Sequence, residues 1–321
     1  MVINYRNIQD MFRLISSKLD RLPNDIDLVI GCPRSGMFPA LIISALKNIP
    51  VASVDSFSNG FIYSSGSRLK KKLEPKDIYK FRKIMVIDDS ILTGSTLSKT
   101  KKRLVNGPSG FKSKFIFAAV YADRNPSSEV DFYFEVCPSP RVFSWNLMHH
   151  FLLSQACMDI DGVICRDPRK EENDGDVKYL HFIENVHPKI IPSYEVGAFV
   201  TSRLEKYRKP TEVWLGKYNY KYRELFMMNK SSMWERIAYG HARFKAEIYK
   251  KLSWAILFIE SSSLQAKEIA ERSGKVVICT EDYNIYYPSF RKSIFFLVWR
   301  SPSIVKKIGN KLHQFLIRVI S

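Results

Sequence analysis

The chain has 321 residues, 45% of them apolar and 13% aromatic, enough for the cores of two ordinary domains and too much for a disordered polymer. Its 5 cysteines are scattered, odd in number and without C-x-x-C spacing, so neither a disulfide framework nor a zinc site is suggested, and a reducing compartment is expected. An excess of 50 basic over 32 acidic residues gives +18, so an anionic partner is expected: nucleic acid, a membrane surface or phosphorylated substrates.

No signal-like apolar block opens the sequence and no apolar run approaches the ~20 residues of a bilayer span, so a cytoplasmic protein, soluble or peripheral, is expected. Asn7 to Leu22 places Ile8, Met11, Phe12, Ile15 and Leu19 at helical spacing, ahead of a first strand over Asp27 to Ile30. Gly31-Cys-Pro-Arg34-Ser35-Gly36 then leads into an apolar helix, Pro39 to Leu46. Small residues, free amides and one basic side chain at such a turn suit a phosphate. Val51 to Val54 reads as a strand, whereas Asp55 to Lys83 has no steady period and carries Arg68, Lys70, Lys71 and Lys72.

Ile84-Met-Val-Ile has the length and β-branching of a buried parallel strand. Asp88, Asp89 and then Thr93-Gly94-Ser95-Thr96 follow it, with a helix expected from Ser98 to Leu104. Gly94 permits close approach, and the hydroxyls and first helical amides suit a phosphate. The two carboxylates can accept hydrogen bonds from vicinal sugar hydroxyls, so a sugar phosphate fits the order of residues. Lys114 to Tyr121 and Val130 to Val136 complete a mostly parallel sheet of roughly five strands with helices on both faces. No local pattern in this half reads as a nucleobase clamp.

Pro138 to Trp145 marks a crossover into a second domain. There Ala156-Cys-Met-Asp159-Ile-Asp161-Gly162 again puts acids at the tip of a strand, now two apart, a spacing at which both can share a metal. One carboxylate can attack phosphorus while the other handles protons. An EF-hand is excluded because no ligand ladder continues from these acids. Further on, Ala198-Phe-Val-Thr201-Ser202 ends a strand in hydroxyls, Lys245 and its rival Lys250 offer cations, and Ile256 to Glu260 is an apolar strand tipped by an acid. After Asp282 no acid remains; Ile304, Ile308, Leu312, Phe315 and Val319 share one helical face and Lys306, Lys307, Lys311 and Arg318 the other. That is the pattern of an interfacial helix drawn to anionic lipid, with docking onto the catalytic domains as its rival.

The Ile84–Thr96 run resembles the PRPP-binding motif of type I phosphoribosyltransferases. The resemblance implies that Asp88 and Asp89 hold the ribose hydroxyls and that Thr93, Gly94, Ser95 and Thr96 hold the 5-phosphate. It also implies Arg34, Ser35 and Gly36 on the diphosphate, Arg68 in a loop over PRPP, and Mg²⁺ with the substrate. The second half resembles haloacid-dehalogenase-type phosphatases. That implies Asp159 as nucleophile, Asp161 as acid/base, Thr201, Ser202 and Lys245 on the phosphate, and Mg²⁺ on Asp159, Asp161 and Glu260. Ser261 departs from the second acid common at that place. The short interval from Asp161 to Thr201 implies a Rossmann-like domain with little or no cap.

Residues 25–285 as a whole look like the dual-domain ribofuranosyltransferases of bacterial surface-polysaccharide assembly. The implied architecture is α/β, with a phosphoribosyltransferase-like domain over 1–145, a phosphatase domain over 146–288 and a basic amphipathic tail over 289–321. The implied partners are PRPP and a lipid-linked glycan acceptor at the inner face of the membrane, without nucleic acid. Two alternatives stay open on the sequence: a nucleobase phosphoribosyltransferase fused to a nucleotidase, and a PRPP sensor that binds nucleic acid.

Overall fold

The computed structural model describes residues 3–63, 80–105, 114–124 and 130–289. Arg68, Lys70, Lys71, Lys72 and the basic tail from residue 290 lie outside the described residues. The chain divides between Trp145 and Asn146 into two compact units.

The first unit runs β1 (Asn4–Arg6), α1 (Ile8–Ser17), β2 (Leu28–Gly31), α2 (Met37–Lys47), β3 (Val51–Ser53), α3 (Val54–Ser58), β4 (Lys83–Ile91), α4 (Ser95–Val105), β5 (Lys114–Ala122), β6 (Phe132–Val136) and β7 (Arg141–Phe143). Asn7 starts α1 through a capping box with Asp10. The helix stops at Ser17, short of the Leu22 expected from the apolar spacing, and a tighter turn over Leu19–Arg21 takes its place.

Five of these strands form one sheet in the order β3-β2-β4-β5-β6, every pair parallel. Alternation along β4 feeds both faces: Met85 and Ile87 pack with Met11, Ile15, Ala40 and Ile43 of α1 and α2, whereas Ile84 and Val86 pack with Leu97 and Leu104 of α4. The strand expected over Ile84–Ile87 continues to Ile91, so Asp88 and Asp89 are strand residues, and α4 begins at Ser95 rather than Ser98. Pairing of β4 with β2 stops at Ile87, whereas pairing with β5 runs on to Ile91 and extends the ladder beyond the purely apolar segment. A second feature that the sequence pattern does not show is the parallel pair β1–β7, which joins residues 4–6 to residues 141–143.

The second unit runs β8 (Ala156–Met158), α5 (Val177–Asn185), β9 (Val196–Leu204), α6 (Arg208–Lys217), β10 (Tyr222–Met228), α7 (Met233–Tyr239), α8 (His241–Lys251), β11 (Leu257–Glu260), α9 (Ser263–Ser273), β12 (Val276–Cys279) and β13 (Ile285–Tyr286). Its sheet has the order β10-β9-β8-β11-β12-β13, parallel except for the last pair. One face is packed by Ala242, Ala246 and Tyr249 of α8 and by Ala266, Ile269 and Ala270 of α9 against Cys157, Val200, Phe258 and Val277. Trp214 of α6 is buried away from that cluster and donates from Nε1 to the Val186 carbonyl at 2.7 Å. Among the described residues no helix is long and apolar enough to cross a membrane.

Candidate functional site

Each sheet has a point where the chain stops adding strands on one side and starts on the other. In the first unit the point lies between β2 and β4; in the second it lies between β8 and β11. Loops leaving the carboxyl ends of two such strands diverge to opposite faces and leave a crevice between them.

At the first crevice the Gly31–Gly36 turn follows β2 and the acidic pair lies near the carboxyl end of β4. A Cβ on Gly36 would lie 2.5 Å from the Cys32 carbonyl, 2.8 Å from the Ile87 carbonyl and 2.8 Å from Asp88 Oδ1, so only glycine lets the turn sit this close to the acids. Asp88 and Asp89 are both buried. Asp88 Oδ1 accepts from the Asp89 amide at 2.9 Å, and Asp89 accepts from Ser35 Oγ at 2.9 Å and from Trp145 Nε1 at 2.7 Å. Burial, and then the neighbouring Asp89 charge, pushes the Asp88 carboxyl up to about 8. Such a pair is relieved by groups that donate to it or bring positive charge.

Thr93, Ser95 and Thr96 are exposed at the start of α4, where the Ser98 amide closes the first helical bond onto the Gly94 carbonyl at 2.9 Å. Thr93 Oγ1 and Ser95 Oγ are 3.3 Å apart, so their hydroxyls face one region beside the helical amides. Arg34 is exposed on the β2 turn. The structure thus gathers Ser35, Gly36, Asp88 and Asp89 by direct contact and sets Thr93 to Thr96 at the end of the same strand. Trp145 was missed by sequence reasoning. It closes a ring stack, parallel to Phe143 at 4.9 Å with Tyr121 beyond at 5.2 Å, and the exposed ring of Phe38 tilts against it at 6.3 Å. Arg141, buried, donates to the Cys137 and Ile91 carbonyls at 3.1 and 2.9 Å and ties the end of β4 to the segment that carries Trp145.

In the second unit Asp159 follows β8, Glu260 ends β11, and Lys245 reaches them from α8. Its ammonium is 2.5 Å from Asp159 Oδ2, 2.7 Å from Glu260 Oε2 and 3.0 Å from Gln265 Oε1, and all three charged side chains are buried. Burial, with Glu260 and Asp161 adding to it and Lys245 opposing, holds the Asp159 carboxyl above the ordinary range, at about 7. Burial opposes the Lys245 charge, but the two carboxylates outweigh it and keep the ammonium protonated. Lys250 is exposed, five residues and therefore ~140° further round the helix.

Asp161 has its own partners. Arg203 of β9 grips it with two donations, Nη2 to Oδ1 at 2.7 Å and Nε to Oδ2 at 3.1 Å, and Tyr179 donates from its hydroxyl at 3.2 Å. Burial pushes this carboxyl up, but Arg203 overrides it and keeps Asp161 ionised. Gly162 has φ +80° and its Cβ would meet Ser261 Oγ at 2.2 Å, so the loop after Asp161 depends on glycine for both conformation and space. Thr201 and Ser202 lie within β9, which continues to Leu204 instead of ending at the hydroxyls. With Asp159, Asp161 and Lys245 they line a cleft of ≈ 200 Å³.

The Mg²⁺ expected on Asp159, Asp161 and Glu260 does not fit these residues. Among the described residues no cluster of three or more His, Cys, Asp or Glu is gathered to hold a metal ion. The physical reason is that protein donors already occupy the oxygens. Lys245 bridges Asp159 and Glu260, Arg203 takes both oxygens of Asp161, and backbone amides of Ile160 and Ser261 take the other oxygens of Asp159 and Glu260 at 2.8 and 2.9 Å.

An acidic pair near a strand end, a turn pressed against it and a hydroxyl-lined helix start meet at one crevice of an α/β domain. Residues 4–150, somewhat under half of the chain, match the family described as Phosphoribosyl transferase domain, and in the structure they carry a parallel α/β sheet. One curated relative is an amidophosphoribosyltransferase from Synechococcus elongatus, 37% identical over 91 residues, which are 26% of this chain and 18% of that protein. The chain therefore spans less than a fifth of the length of that relative. Solved structures similar to it include the xanthine-guanine-hypoxanthine phosphoribosyltransferase of Helicobacter pylori, at TM-score 0.33 and 13% identity, covering 46% of this chain and 93% of that one. A purine phosphoribosyltransferase from Pyrococcus horikoshii aligns at TM-score 0.32 and 24% identity, over 45% of this chain and 94% of that one.

Proposed function

We propose that the first unit transfers 5-phosphoribose from PRPP to a glycan acceptor and that the second unit removes the 5-phosphate, so that the net product is a ribofuranosyl glycan of a bacterial surface polysaccharide. The observation that carries the proposal is the pair of crevices, each at the switch point of its own sheet. One is acidic beside a phosphate-type loop, and the other holds Asp159 beside Thr201, Ser202 and Lys245. Two phosphate chemistries in one chain require a shared intermediate, and a phosphoribosylated product is the economical one.

In the first step the acceptor oxygen bonds to ribose C1 as the C1–pyrophosphate bond breaks, and the acceptor proton leaves with the solvent or a base. Asp88 and Asp89 receive the ribose hydroxyls, with Ser35 and Trp145 fixing the orientation of Asp89. Mg²⁺ enters as part of the substrate, and the raised Asp88 carboxyl suits an incoming cation or hydroxyl donor. Thr93, Gly94, Ser95 and Thr96 hold the 5-phosphate, and Arg34, Ser35 and Gly36 face the diphosphate. Excluding water while both ends are fixed favours transfer over hydrolysis.

In the second step the Asp159 carboxylate attacks phosphorus as the bond to the ribose 5-oxygen breaks and that oxygen takes a proton from solvent; water, giving up a proton, then releases orthophosphate from the aspartyl phosphate. Lys245 holds Asp159 in place and offers its charge to the phosphoryl oxygens, with Thr201 and Ser202 as hydroxyl partners. Asp161, kept ionised by Arg203, suits accepting a proton from water better than giving one to the leaving oxygen. Residues 146–288 would constitute this phosphatase domain. The basic tail beyond it would provide contact with a membrane surface at which a lipid-linked glycan is presented.

A nucleobase acceptor is the second reading, favoured by the exposed Phe38 ring beside Trp145, which offers a stacking face. Incubation of the protein with PRPP, Mg²⁺ and either glycans or nucleobases, following pyrophosphate and orthophosphate separately, tests both. Glycan-dependent pyrophosphate release, with Asp159→Asn accumulating the 5-phosphoribosyl product, is the expected result. Fully dephosphorylated product from that variant would refute the two-step scheme, and consumption of PRPP by a nucleobase alone would replace the glycan.

A further inference from the structure

The cleft that holds Asp159 is also lined by Arg236, which comes from α7 and has no part in the two-step scheme. Its residue exposure is 5%, so the guanidinium is held almost entirely away from water. One hydrogen bond is made, from Nη2 to the neutral Asn173 side-chain oxygen at 2.9 Å, and the guanidinium carbon stands 5.6 Å from the Tyr179 ring centre. Arg236 Nε is buried without a hydrogen-bond partner.

The other cations of this cleft are accounted for. Lys245 is shared by Asp159 and Glu260, and Arg203 is paired with Asp161. Asp167 also lines the cleft, but among the described residues it makes no ion pair with Arg236. His241 is pushed down to about 4, by burial and then by the Arg236 and Lys245 charges, and is neutral at pH 7. Among the described residues Arg236 therefore makes no ion pair with a protein carboxylate, and its Nε is left without an acceptor. Isolated burial of a charge is costly, and proteins do not retain it without a partner. A second orphan points to the same space: Ser202 Oγ is buried, has no hydrogen-bond partner, and lines this cleft.

We propose that Arg236 contacts the ligand of the second unit, pairing with oxygens of a phosphoryl group while Ser202 donates to the same group. The inference rests on the reading of this cleft as a phosphate site but not on its turnover. Phosphoryl oxygens suit the arrangement because a planar guanidinium can present parallel donors to two of them. The shared chemistry is a phosphate oxyanion, whether the 5-phosphate of a ribosyl group or free orthophosphate, the product of hydrolysis.

The test uses the full chain in the presence of a metal chelator, with inorganic phosphate as one probe and ribose 5-phosphate as the other, binding being measured by calorimetry and by thermal shift. Arg236→Met is expected to weaken binding roughly 10- to 100-fold, the loss of a charge-assisted hydrogen-bonded contact. The unligated variant is expected to melt at or above the wild-type temperature, because the unbalanced charge is gone; a merely structural arginine would lower it. Arg236→Lys, which keeps the charge and loses the fork, is expected to bind more weakly than wild type and decides the matter if Arg236→Met does not melt cooperatively. Phosphate affinity within about twofold of wild type in a cooperatively melting variant overturns the proposal, as does failure of the wild type to bind either probe at millimolar concentration. Equal loss of binding to both probes shows recognition of the phosphoryl group itself; loss for both that is larger for ribose 5-phosphate shows that the sugar contributes as well. Either result supports the assignment. Failure of the two-step scheme would register differently, as absence of orthophosphate release by the wild type despite Arg236-dependent binding.

Discussion

Lys245→Met keeps the apolar stem of a buried side chain and removes the ammonium that joins Asp159 to Glu260. The two ion pairs broken by this change measure 2.5 and 2.7 Å between fully buried groups, and removing one partner of such a pair costs ~3–5 kcal/mol. Glu260 retains the amides of Ser261 and Ser262 at 2.9 and 3.2 Å, which places the expected cost near the lower end, ~3 kcal/mol. For a unit of this size that lowers the melting temperature by roughly 6–12 °C. The pH dependence has a definite sign. In the wild type Asp159 stands at about 7 when folded. That is above the ~4 of an unfolded aspartate, so its stabilisation is complete below pH ~4 and is lost as pH rises through 7. Without Lys245 the folded carboxyl rises further, and the variant goes on losing stability above pH 7 where the wild type has levelled off. Urea unfolding at pH 6 and pH 8.5 should therefore show a gap between the two proteins that widens by ~1 kcal/mol or more at the higher pH. An equal gap at both pH values, or none, would refute Lys245 as the counter-ion of this pair.

Three further outcomes are expected. Because Asp88 stands at about 8 and binding of Mg²⁺ and ribose hydroxyls favours its ionised form, affinity for Mg·PRPP should climb from pH 6 to 8, by at most ~10-fold per unit. Calorimetry on Asp88→Asn should find weak, pH-independent binding, and a wild-type affinity flat across that range would contradict the assignment. Trp145→Phe preserves the stack on Phe143 but deletes the 2.7 Å donation to Asp89, a loss of ~1.5–3 kcal/mol. A several-fold rise in KM for PRPP is the kinetic sign, and an unchanged KM would show that Asp89 needs no anchor. Gly162→Ala forces a Cβ to within 2.2 Å of Ser261 Oγ at φ +80°, so orthophosphate release should fall sharply while pyrophosphate release persists; equal loss of both would point to global unfolding.

Much of the first crevice was legible because its parts are local. A β-branched strand, adjacent acids and a hydroxyl-rich loop occupy thirteen consecutive positions, Ile84 to Thr96, and strand alternation fixes where they lie. The burial of Lys245 rather than Lys250 was also within reach: Ala242, Lys245, Ala246 and Tyr249 form the buried stripe of α8, and Lys250 falls off it. What escaped were partners brought together by tertiary folding. Trp145 meets Asp89 across 56 residues and Arg203 meets Asp161 across 42, separations over which sequence periodicity carries no information. Arg203 did leave a trace, since it sits two positions after Thr201 and therefore on the same face of β9. Missing that pair is why the two acids of Asp159-Ile-Asp161 were expected to share a cation. The expected helix limits failed for a simpler reason: tight turns and strand pairing moved the ends by several residues.

The β1–β7 pair has a consequence for engineering. Residues 4–6 and 141–143 run side by side, so the two ends of the first unit are held next to each other. Joining them requires two reversals, since the pair is parallel, yet lengthening such a connection costs only ~0.6 kcal/mol per doubling. New termini opened elsewhere in the unit would then yield a circular permutant in which the acidic crevice is kept and the order of the two units along the gene is set free.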